Sequence, residues 1–420
     1  METVTLNDEK FDIELSLGRL SEDMEYLEEK DQLVLPWDFI NNVEYSLDLY
    51  SPFPVLDFTF KDTDNRIINR FKANGEYGVS FYFRNHVNVA GKNEFTHLFV
   101  IDDISLVDFS NQEAIFKIKA QSKYRPIFNL STKWYSTESD NPLPATQIIE
   151  NILDGSGLPF VFNGEMVHSS NKFDYITPVN WTIKSNTDYL MGRAVDETNG
   201  IYMLNYNLNE DQLKVISIAQ EFDTNKNKKF NATKMPTKFG FPEGLESYAN
   251  NVMQNNFITG KGMIEHTKPI DLNYFDYKTR EWKKEEKNFD KYSKYLPSSP
   301  DLISPMRNLY RKSSTWYEQN GNFKTEFHNN FSYYGKKFIT LFQLMNCVQV
   351  TVFGFVQRNT GDLFTIMVDN QSSVDYHRFF GKWLISRIIG KITKNRFTQD
   401  LSLIRSEEMD TSTMSSESFS

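Results

Sequence analysis

The stretch WLISRIIGKITKNRFTQDLSLIRS, residues 383–406, predicts two β-strands joined by a short polar loop. Its aliphatic and aromatic residues alternate with polar ones, which is typical of strands buried on one face. Residues 99–122, FVIDDISLVDFSNQEAIFKIKAQS, follow the same plan, although their second strand aligns only after a shift of one residue. Any two β-hairpins share alternation, so this pattern alone leaves an internal duplication open. The equivalent positions are Phe99 with Trp383, Val100 with Leu384, Ile101 with Ile385, and Ile104 with Ile388.

The stretch KKFITLFQLMNCVQVTVFGFVQ, residues 336–357, is the most apolar part of the chain and nearly as long as a membrane span. A spanning helix would be apolar on all sides. Here the apolar spacing is three to four up to Met345, which predicts an amphipathic helix, and two from Val348, which predicts a strand. QRNTGD then predicts a turn and LFTIMV a returning strand, so we expect no membrane span. The predicted buried helix face comprises Phe338, Leu341, Phe342 and Met345.

Composition narrows the class of protein. A chain of 420 residues is long enough for two to four domains, and 15% aromatic residues supply material for β-rich cores. A net charge of −10 argues against tight, sequence-independent binding to nucleic acid, because neutralising phosphates requires a basic surface. The single cysteine, Cys347, excludes an intramolecular disulfide framework and suits assembly in a reducing cytoplasm. The acidic N-terminal segment does not resemble an export signal.

Residues 1–125 consist almost entirely of alternating segments separated by Asn, Asp and Gly, which predicts an antiparallel sandwich or barrel. Residues 126–225 are predicted to form a small α/β domain. In it, one helix follows Pro144 and stops at Gly155 and Gly157. A second begins near Asn186, with Ser185 or Asn186 as its cap, and ends by Gly200. The strands IYMLNY and LKVISI follow.

The remainder of the chain divides into three parts. Residues 226–265 and 324–405 are predicted to form a second β-rich domain that ends in the 383–406 hairpin. Residues 266–323 are charged and aromatic without clear periodicity, and we interpret them as an insertion into that domain. Residues 406–420 have the Ser-rich composition of a flexible tail.

Sequence motifs for catalysis or metal binding are missing. The six His residues are scattered, and no nucleophile elbow, P-loop or dinucleotide fingerprint occurs. The acidic pairs Asp102/Asp103 and Glu285/Glu286 are consecutive, so in a strand their carboxylates point to opposite faces. We therefore predict no catalytic, cofactor-binding or metal-binding residues and no cofactor. Carboxylates distant in sequence can still converge, which leaves a cell-wall hydrolase as the alternative function.

The order of elements in the C-terminal part resembles the baseplate central hub protein of contractile-tailed (T4-like) bacteriophages and the hub half of type VI secretion spike proteins. The resemblance is carried by NFSYYGKKFITLFQLMNC, VQVTVFG, NTGDLFTIMV and YHRFFGKWLISRIIGKITKNRFTQDLSLIR. The segment TPVNWTIKSNTDYLMGRAVDETNGIYMLNYN is similar to the α/β module of that family. Residues 266–323 match nothing in it.

The resemblance implies a mainly β protein with two tail-tube-like antiparallel β-barrels, an α/β domain between them and an insertion in the second barrel. It also implies a non-enzymatic homotrimer whose six barrels form a pseudo-sixfold ring. That ring would join the hexameric tail tube, or its initiator proteins, to the trimeric central spike, among other baseplate proteins. The expected location is the virion tail baseplate, assembled in the host cytoplasm. DNA would pass through the lumen without being bound, so we expect an acidic inner wall, with about −30 per trimer from −10 per chain.

Overall fold

The structure is a computed structural model. The residues that it describes include most of the chain outside the predicted insertion. The predicted helix before Met345 and the tail 406–420 lie outside the described residues. The residues described are 1–62, 70–86, 92–110, 113–137, 141–161, 172–192, 194–196, 200–217, 232–234, 251–256, 270–276, 280–287, 313–318, 346–367 and 381–405.

The described part of the chain is mainly β, with three short α-helices and two single-turn 3-10 helices, at Glu29–Asp31 and Trp37–Phe39. The α-helices are α1 (Tyr124–Phe128), α2 (Ala145–Leu153) and α3 (Ile183–Met191). The strands of the N-terminal part are β1 (Glu2–Leu6), β2 (Glu9–Arg19), β3 (Leu33–Leu35), β4 (Ile40–Asp48), β5 (Ser51–Asp62), β6 (Tyr77–Asn85), β7 (Glu94–Ser110) and β8 (Glu113–Ser122). Those of the middle part are β9 (Leu143–Pro144), β10 (Lys172–Phe173), β11 (Val195–Asp196), β12 (Gly200–Asn207) and β13 (Gln212–Ser217). The C-terminal part has β14 (Ala232–Lys234), β15 (Asn251–Asn256), β16 (Ile270–Asp276), β17 (Glu281–Lys287), β18 (Ser313–Glu318), β19 (Asn346–Phe353), β20 (Leu363–Met367), β21 (Gly381–Thr393) and β22 (Phe397–Arg405).

One large curled sheet of 14 strands organises the molecule. Its main path runs β1-β2-β6-β7-β8-β5-β4-β21-β22-β19-β15, with β3 beside β2, β20 beside β21 and β14 beside β20. All pairings are antiparallel except that of β14 with β20. Strands from both ends of the chain thus share one sheet. Alternating side chains bury one face of it, as in β8, where every second residue from Ala114 to Ser122 is buried.

The sheet contains the same five-strand pattern twice. In the first group, β4 to β8 are ordered β6-β7-β8-β5-β4. In the second group, β15, β19, β20, β21 and β22 are ordered β20-β21-β22-β19-β15. Numbered along the chain, each group has the spatial order third, fourth, fifth, second, first. We call these two sets of strands the first group and the second group.

Register confirms the predicted equivalence of Phe99 and Trp383. Phe99 lies opposite Val79 on the preceding strand, and Trp383 lies opposite Phe364. Both rings are buried. A β-bulge, one extra residue on one strand, follows Ile101 in β7 and the equivalent Ile385 in β21.

The shift of one residue between the two hairpins has a local cause. The first hairpin carries a second bulge between Leu106 and Asp108, which the second hairpin lacks. Val107 is therefore an inserted residue, and beyond it Asp108 corresponds to Lys391 and Phe109 to Ile392. The remaining residues of the two hairpins correspond one to one.

The predicted strand from Val348 is confirmed, since Val348, Val350 and Val352 are buried between more exposed neighbours. The returning strand exists as β20, but the expectation that it pairs back onto β19 is wrong. Both edges of β19 are occupied, by β22 and β15, whereas β20 pairs with β21 and β14. The segment between them crosses the end of β22, where Gly354 allows the closest approach: a Cβ there would lie 2.3 Å from the Phe397 ring.

The middle part of the chain contains the α-helices. The predicted helix after Pro144 is α2, and Gly155 and Gly157 follow it with φ of +66° and +83°, as a helix stop requires. The second helix starts earlier than predicted: Thr182 caps α3 by accepting the Ser185 N–H, and the helix ends before Gly192. The strands β12 and β13 form the predicted hairpin.

Within the predicted insertion, β16, β17 and β18 form a small sheet of their own in the order β17-β16-β18. The sequence analysis did not predict these strands. None of the helices in the described part of the chain combines the length and apolarity needed to cross a bilayer.

Candidate assembly site between the two strand groups

The two groups meet along β4 and β21, which pair antiparallel over seven residues from Arg387↔Asp48 to Thr393↔Asn42. Just beyond this ladder, the bulge residue Ser386 accepts the Leu49 N–H at 2.8 Å. Ile392 and Val43, opposite each other, are fully buried. The two groups are therefore joined by main-chain hydrogen bonds and by a shared apolar core.

A large aromatic ring fills the centre of this junction. Tyr45 on β4 lies opposite Gly390 on β21, and a Cβ at Gly390 would lie 2.2 Å from the ring. The ring also packs edge-on against Phe95. The Tyr45 hydroxyl accepts a hydrogen bond of 2.9 Å from Gln399 Nε2, and burial raises the pKa of Tyr45 above its ordinary value. Glycine at 390 is what allows the ring to occupy this place.

Gln399 on β22 connects this ring to a buried cation. Its side chain accepts the Phe355 N–H at 3.1 Å, donates to the Phe355 carbonyl at 3.0 Å, and accepts a hydrogen bond from Arg358. Arg358 also donates to the Phe353 carbonyl at 3.1 Å and stacks over the rings of Phe355 and Phe364. Burial lowers the pKa of Arg358 to about 10, so the guanidinium stays charged at neutral pH.

The hairpin of β12 and β13 is joined to the first group by a polar network. Tyr206 on β12 hydrogen-bonds His97 Nδ1 on β7 at 3.0 Å and donates to Asp211. Tyr124 of α1 donates to the other Asp211 oxygen at 2.9 Å, and His97 Nε2 lies 2.8 Å from Ser122 Oγ. Because Tyr206 gives its single proton to Asp211, His97 donates from Nδ1 to Tyr206, and Nε2 accepts from Ser122.

The charges in this network follow from its burial. Burial lowers the pKa of His97, which keeps the ring neutral at pH 7. Burial would raise the pKa of Asp211, but the nearby His97 ring and the hydrogen bonds from Tyr206 and Tyr124 outweigh it and bring that pKa to about 2. Burial and the nearby Asp211 charge raise the pKa of Tyr206. The network therefore contains one carboxylate and otherwise neutral donors.

The same hairpin is joined to the second group by amides. Asn205 Nδ2 donates to the Thr360 carbonyl at 2.9 Å, and Thr360 Oγ1 donates to Asn205 Oδ1 at 2.8 Å. Asn359 accepts the Leu208 N–H at 3.3 Å and donates to Asn209 at 3.2 Å. The turn that carries Thr360 contains Gly361 at φ +80°, a conformation that favours glycine.

These contacts make β12–β13 a spacer between the two groups. Asn205 and Tyr206 are neighbours on one strand, so their side chains point to opposite faces, one toward each group. We call Asn205 with its partners the amide joint and His97 with its partners the histidine joint.

The histidine joint contains the residue types of a hydrolytic triad but not its geometry. Ser122 Oγ is fully buried and already accepts the Tyr124 N–H at 3.3 Å, and the Tyr206 hydroxyl bonds both His97 and Asp211. A nucleophile must reach its substrate. In this arrangement Ser122 cannot, so the network serves to hold the fold together.

Both acidic pairs singled out in the sequence lie on strands, Asp102/Asp103 in β7 as predicted and Glu285/Glu286 in β17, which was not predicted. Asp103 is paired opposite Lys119 in β7, and Glu285 and Glu286 lie opposite Leu272 and Asp271 in the small sheet. Within the described ranges, no group of three or more His, Cys, Asp or Glu has the arrangement of a metal site. Sequence reasoning missed Tyr45, Gln399 and His97, since contacts between residues as far apart as 354 positions leave no local motif.

Comparisons with known proteins concern the fold. No protein-family model and no curated protein sequence matches the chain. Among solved structures, the 43 kDa tail protein of prophage MuSo2 from Shewanella oneidensis is similar at a TM-score of 0.55 and 10% identity, over 94% of this chain and 100% of that one. The tail protein from Neisseria meningitidis MC58 is similar at 0.55 and 9%, over 95% and 97%.

A chain of the Francisella PdpA–VgrG complex is similar at a TM-score of 0.51 and 10% identity, over 94% of this chain but 58% of that one. Such low identities establish a shared fold and leave function open. The protein therefore has the fold of phage tail proteins and of a chain from a VgrG complex, as its sequence resemblance predicted.

Proposed function

We propose that the protein is a structural baseplate hub: a homotrimeric ring that joins the hexameric tail tube to the trimeric central spike in a contractile phage tail. The observation that carries this proposal is the repeated five-strand pattern within one continuous sheet. Two equivalent groups per chain give six in a trimer, so one face of the ring can match a sixfold tube while the molecule keeps threefold symmetry for the spike.

In this proposal the two groups are the sheets of two tail-tube-like barrels, at residues 1–125 and at 226–265 with 324–405. Residues 126–225 form the α/β domain between them, and 266–323 form a subdomain inserted in the second barrel. The similarity to tail proteins over nearly their whole length supports this assignment. The partners would be tube or tube-initiator proteins, the spike and other baseplate proteins, within the virion.

The lumen of the ring would form part of the DNA ejection channel without binding DNA. The net charge of −10 per chain supports this, because a wall of the same sign as phosphate does not retain it. We propose no enzymatic activity. The buried Ser122 and His97 support that view over a cell-wall hydrolase.

Particle imaging tests the proposal directly. The purified full-length protein, alone and mixed with tube and spike proteins of the same phage, should give rings of three copies with six similar lobes by negative-stain electron microscopy. Light scattering should give three times the mass of the chain. A monomer under all these conditions, or clearing of peptidoglycan in a zymogram, would contradict it.

A further inference from the structure

The first group has a strand edge that no described strand covers. β6 pairs with β7 only over residues 94–100, and beyond the bulge β7 continues to Ser110 with β8 on one side alone. In the second group, the equivalent residues 387–393 of β21 pair with β4. The second group thus shows what covers this edge, whereas in the first group no strand of the described residues does.

Exposure of side chains along the open edge differs from that of their equivalents. Phe109 is 64% exposed, whereas Ile392, at the same position of the second group, is fully buried. Leu106 and Val107 are each 57% exposed. A long edge with exposed apolar side chains is a template for pairing with another strand, and proteins leave such edges where a partner binds.

The second group carries the complementary open edge. β15 pairs with β19 on one side, and among the described residues nothing pairs with its other side. In the first group the equivalent strand is β4, whose outer edge pairs with β21. Within the part of the chain that the structure describes, one edge of the β21 type and one of the β4 type therefore remain unpaired.

We infer that residues 103–110 of β7 pair antiparallel with Asn251–Asn256 of β15 in a second copy of this chain, repeating the β4·β21 ladder between molecules. Carrying the internal register over places Phe109 opposite Val252, as Ile392 is opposite Val43. It also places Leu106 opposite Gln254, as Gly390 is opposite Tyr45. The inference rests on the proposed function, since three copies joined in this way close the ring.

A second copy explains the open edges better than an unrelated partner does. The two edges differ, so the contact is head-to-tail, and such contacts form rings when the rotation closes. Closure covers both of these edges in every copy at once. A different protein bound to β7 would leave β15 uncovered.

Cross-linking tests the register. In a Cys347→Ser background, Phe109→Cys with Val252→Cys should give covalent dimers and trimers on a non-reducing gel after mild oxidation. The matched control, Phe109→Cys with Met253→Cys, is one residue out of the inferred register and should give at least about fivefold less cross-linked product. Equal yields from the two pairs, or no cross-link in a chain that is trimeric, would overturn the inference.

A charge variant tests the edge without relying on thiols. Leu106→Lys with Phe109→Lys should shift the protein from trimer to monomer in light scattering. The two charged side chains on β7 of each copy oppose the burial of this edge against a neighbouring strand. Val179→Lys, at an apolar residue that is 86% exposed elsewhere, is the control and should stay trimeric. Circular dichroism checks that both variants are folded.

The outcomes separate the two claims. If the unaltered protein is trimeric but the edge variant is too, the inference fails and the proposed hub survives. If the unaltered protein never forms a trimer, the proposed function fails and the intermolecular ladder fails with it.

Discussion

The two strand groups share one topology but differ at the same edge. In the second group the edge is covered by β4, and Gly390 and Gln399 accommodate the ring of Tyr45 in a buried polar network. In the first group the equivalent residues are Leu106 and Phe116, and no described strand covers the edge. The two groups therefore share a topology but differ in the side chains at this edge. Those of the second group suit a partner strand within the chain, and those of the first group are exposed.

The groups also differ in how they hold the β12–β13 hairpin. The histidine joint of the first group contains groups that can change charge, His97 and Asp211. The amide joint of the second group consists of Asn205, Thr360 and Asn359, which do not titrate. Acid should consequently weaken one joint and spare the other.

The largest effect is expected at the polar centre of the covered edge. Gln399→Leu removes the acceptor of Arg358 and of the Phe355 N–H, and should lower the free energy of unfolding by about 3 kcal/mol. Phe116→Leu at the equivalent position of the first group removes only apolar contacts and should cost about 1 kcal/mol. Urea unfolding followed by circular dichroism measures both. Equal losses of unfolding free energy would mean that the hydrogen bonds of Gln399 contribute no more than the apolar contacts of Phe116.

A smaller effect is expected from closing the space at Gly390. Gly390→Ala places a methyl group against the Tyr45 ring, which is packed and hydrogen-bonded and cannot move aside, so it should cost about 2 kcal/mol. Leu106→Ala, at the open edge, should change the stability of the monomeric chain by less than about 0.5 kcal/mol. Urea midpoints at low protein concentration compare the two. An unchanged midpoint for Gly390→Ala would argue against the tight junction.

The next effect is expected from acid, which should weaken the histidine joint. Because burial lowers the pKa of His97, the unfolded chain takes up a proton below pH 6.5 more readily than the folded chain does. Stability from this residue is therefore complete above pH 6.5 and declines as the pH falls toward 5, while Asp211, with a pKa of about 2, stays ionised. Unfolding free energies at pH 7 and 5 measure the decline.

The variants that check this assignment are His97→Gln and Thr360→Val. His97→Gln should remove that part of the pH dependence. Thr360→Val lies in the amide joint and should lower stability equally at both pH values. If Thr360→Val removed the pH dependence and His97→Gln did not, the pH response would belong to the amide joint and the assignment would be wrong.

The smallest effect concerns an exposed ion pair next to the covered edge. Lys391 Nζ lies 2.7 Å from Asp400 Oδ2, with the two side chains 45% and 33% exposed. Lys391→Ala should cost at most about 0.5 kcal/mol, and the loss should shrink in 1 M salt. Lys117→Ala, which removes the pair with Asp57 in the first group, should behave alike. A loss above 1 kcal/mol would show that surface charge contributes to the difference between the groups.

Local alternation was enough to predict much of the main sheet. The strands containing Phe99 and Trp383 were predicted together with their equivalence, because alternation and a shared apolar order survive in the sequence. The partner of β20 could not be predicted, since it depends on which edges of β19 are already occupied by strands distant in sequence. The start of α3 was misplaced because Thr182 and Ser185 are both good caps and only the fold selects one.

The assembly site was harder to predict than the fold. Tyr45, Gln399 and His97 act through partners that the chain brings together over long sequence separations, and each looks like an ordinary strand residue. The strands β16 to β18 were missed because clear alternation is confined to β16, at Ile270, Leu272 and Tyr274, while its partner β17 is charged at six of seven positions. Pairing outweighed local preference there.

The β12–β13 spacer has a consequence for how accurately the molecule can curve. Adjacent residues of one strand, Asn205 and Tyr206, each hold a different group, so the angle between the groups is fixed by a rigid ribbon rather than by a flexible linker. In a closed ring of three chains, an angular error of about 5° per chain would add up to about 15° and leave a gap. A spacer packed between the groups fixes the angle between them during folding, so that every folded chain has the same curvature.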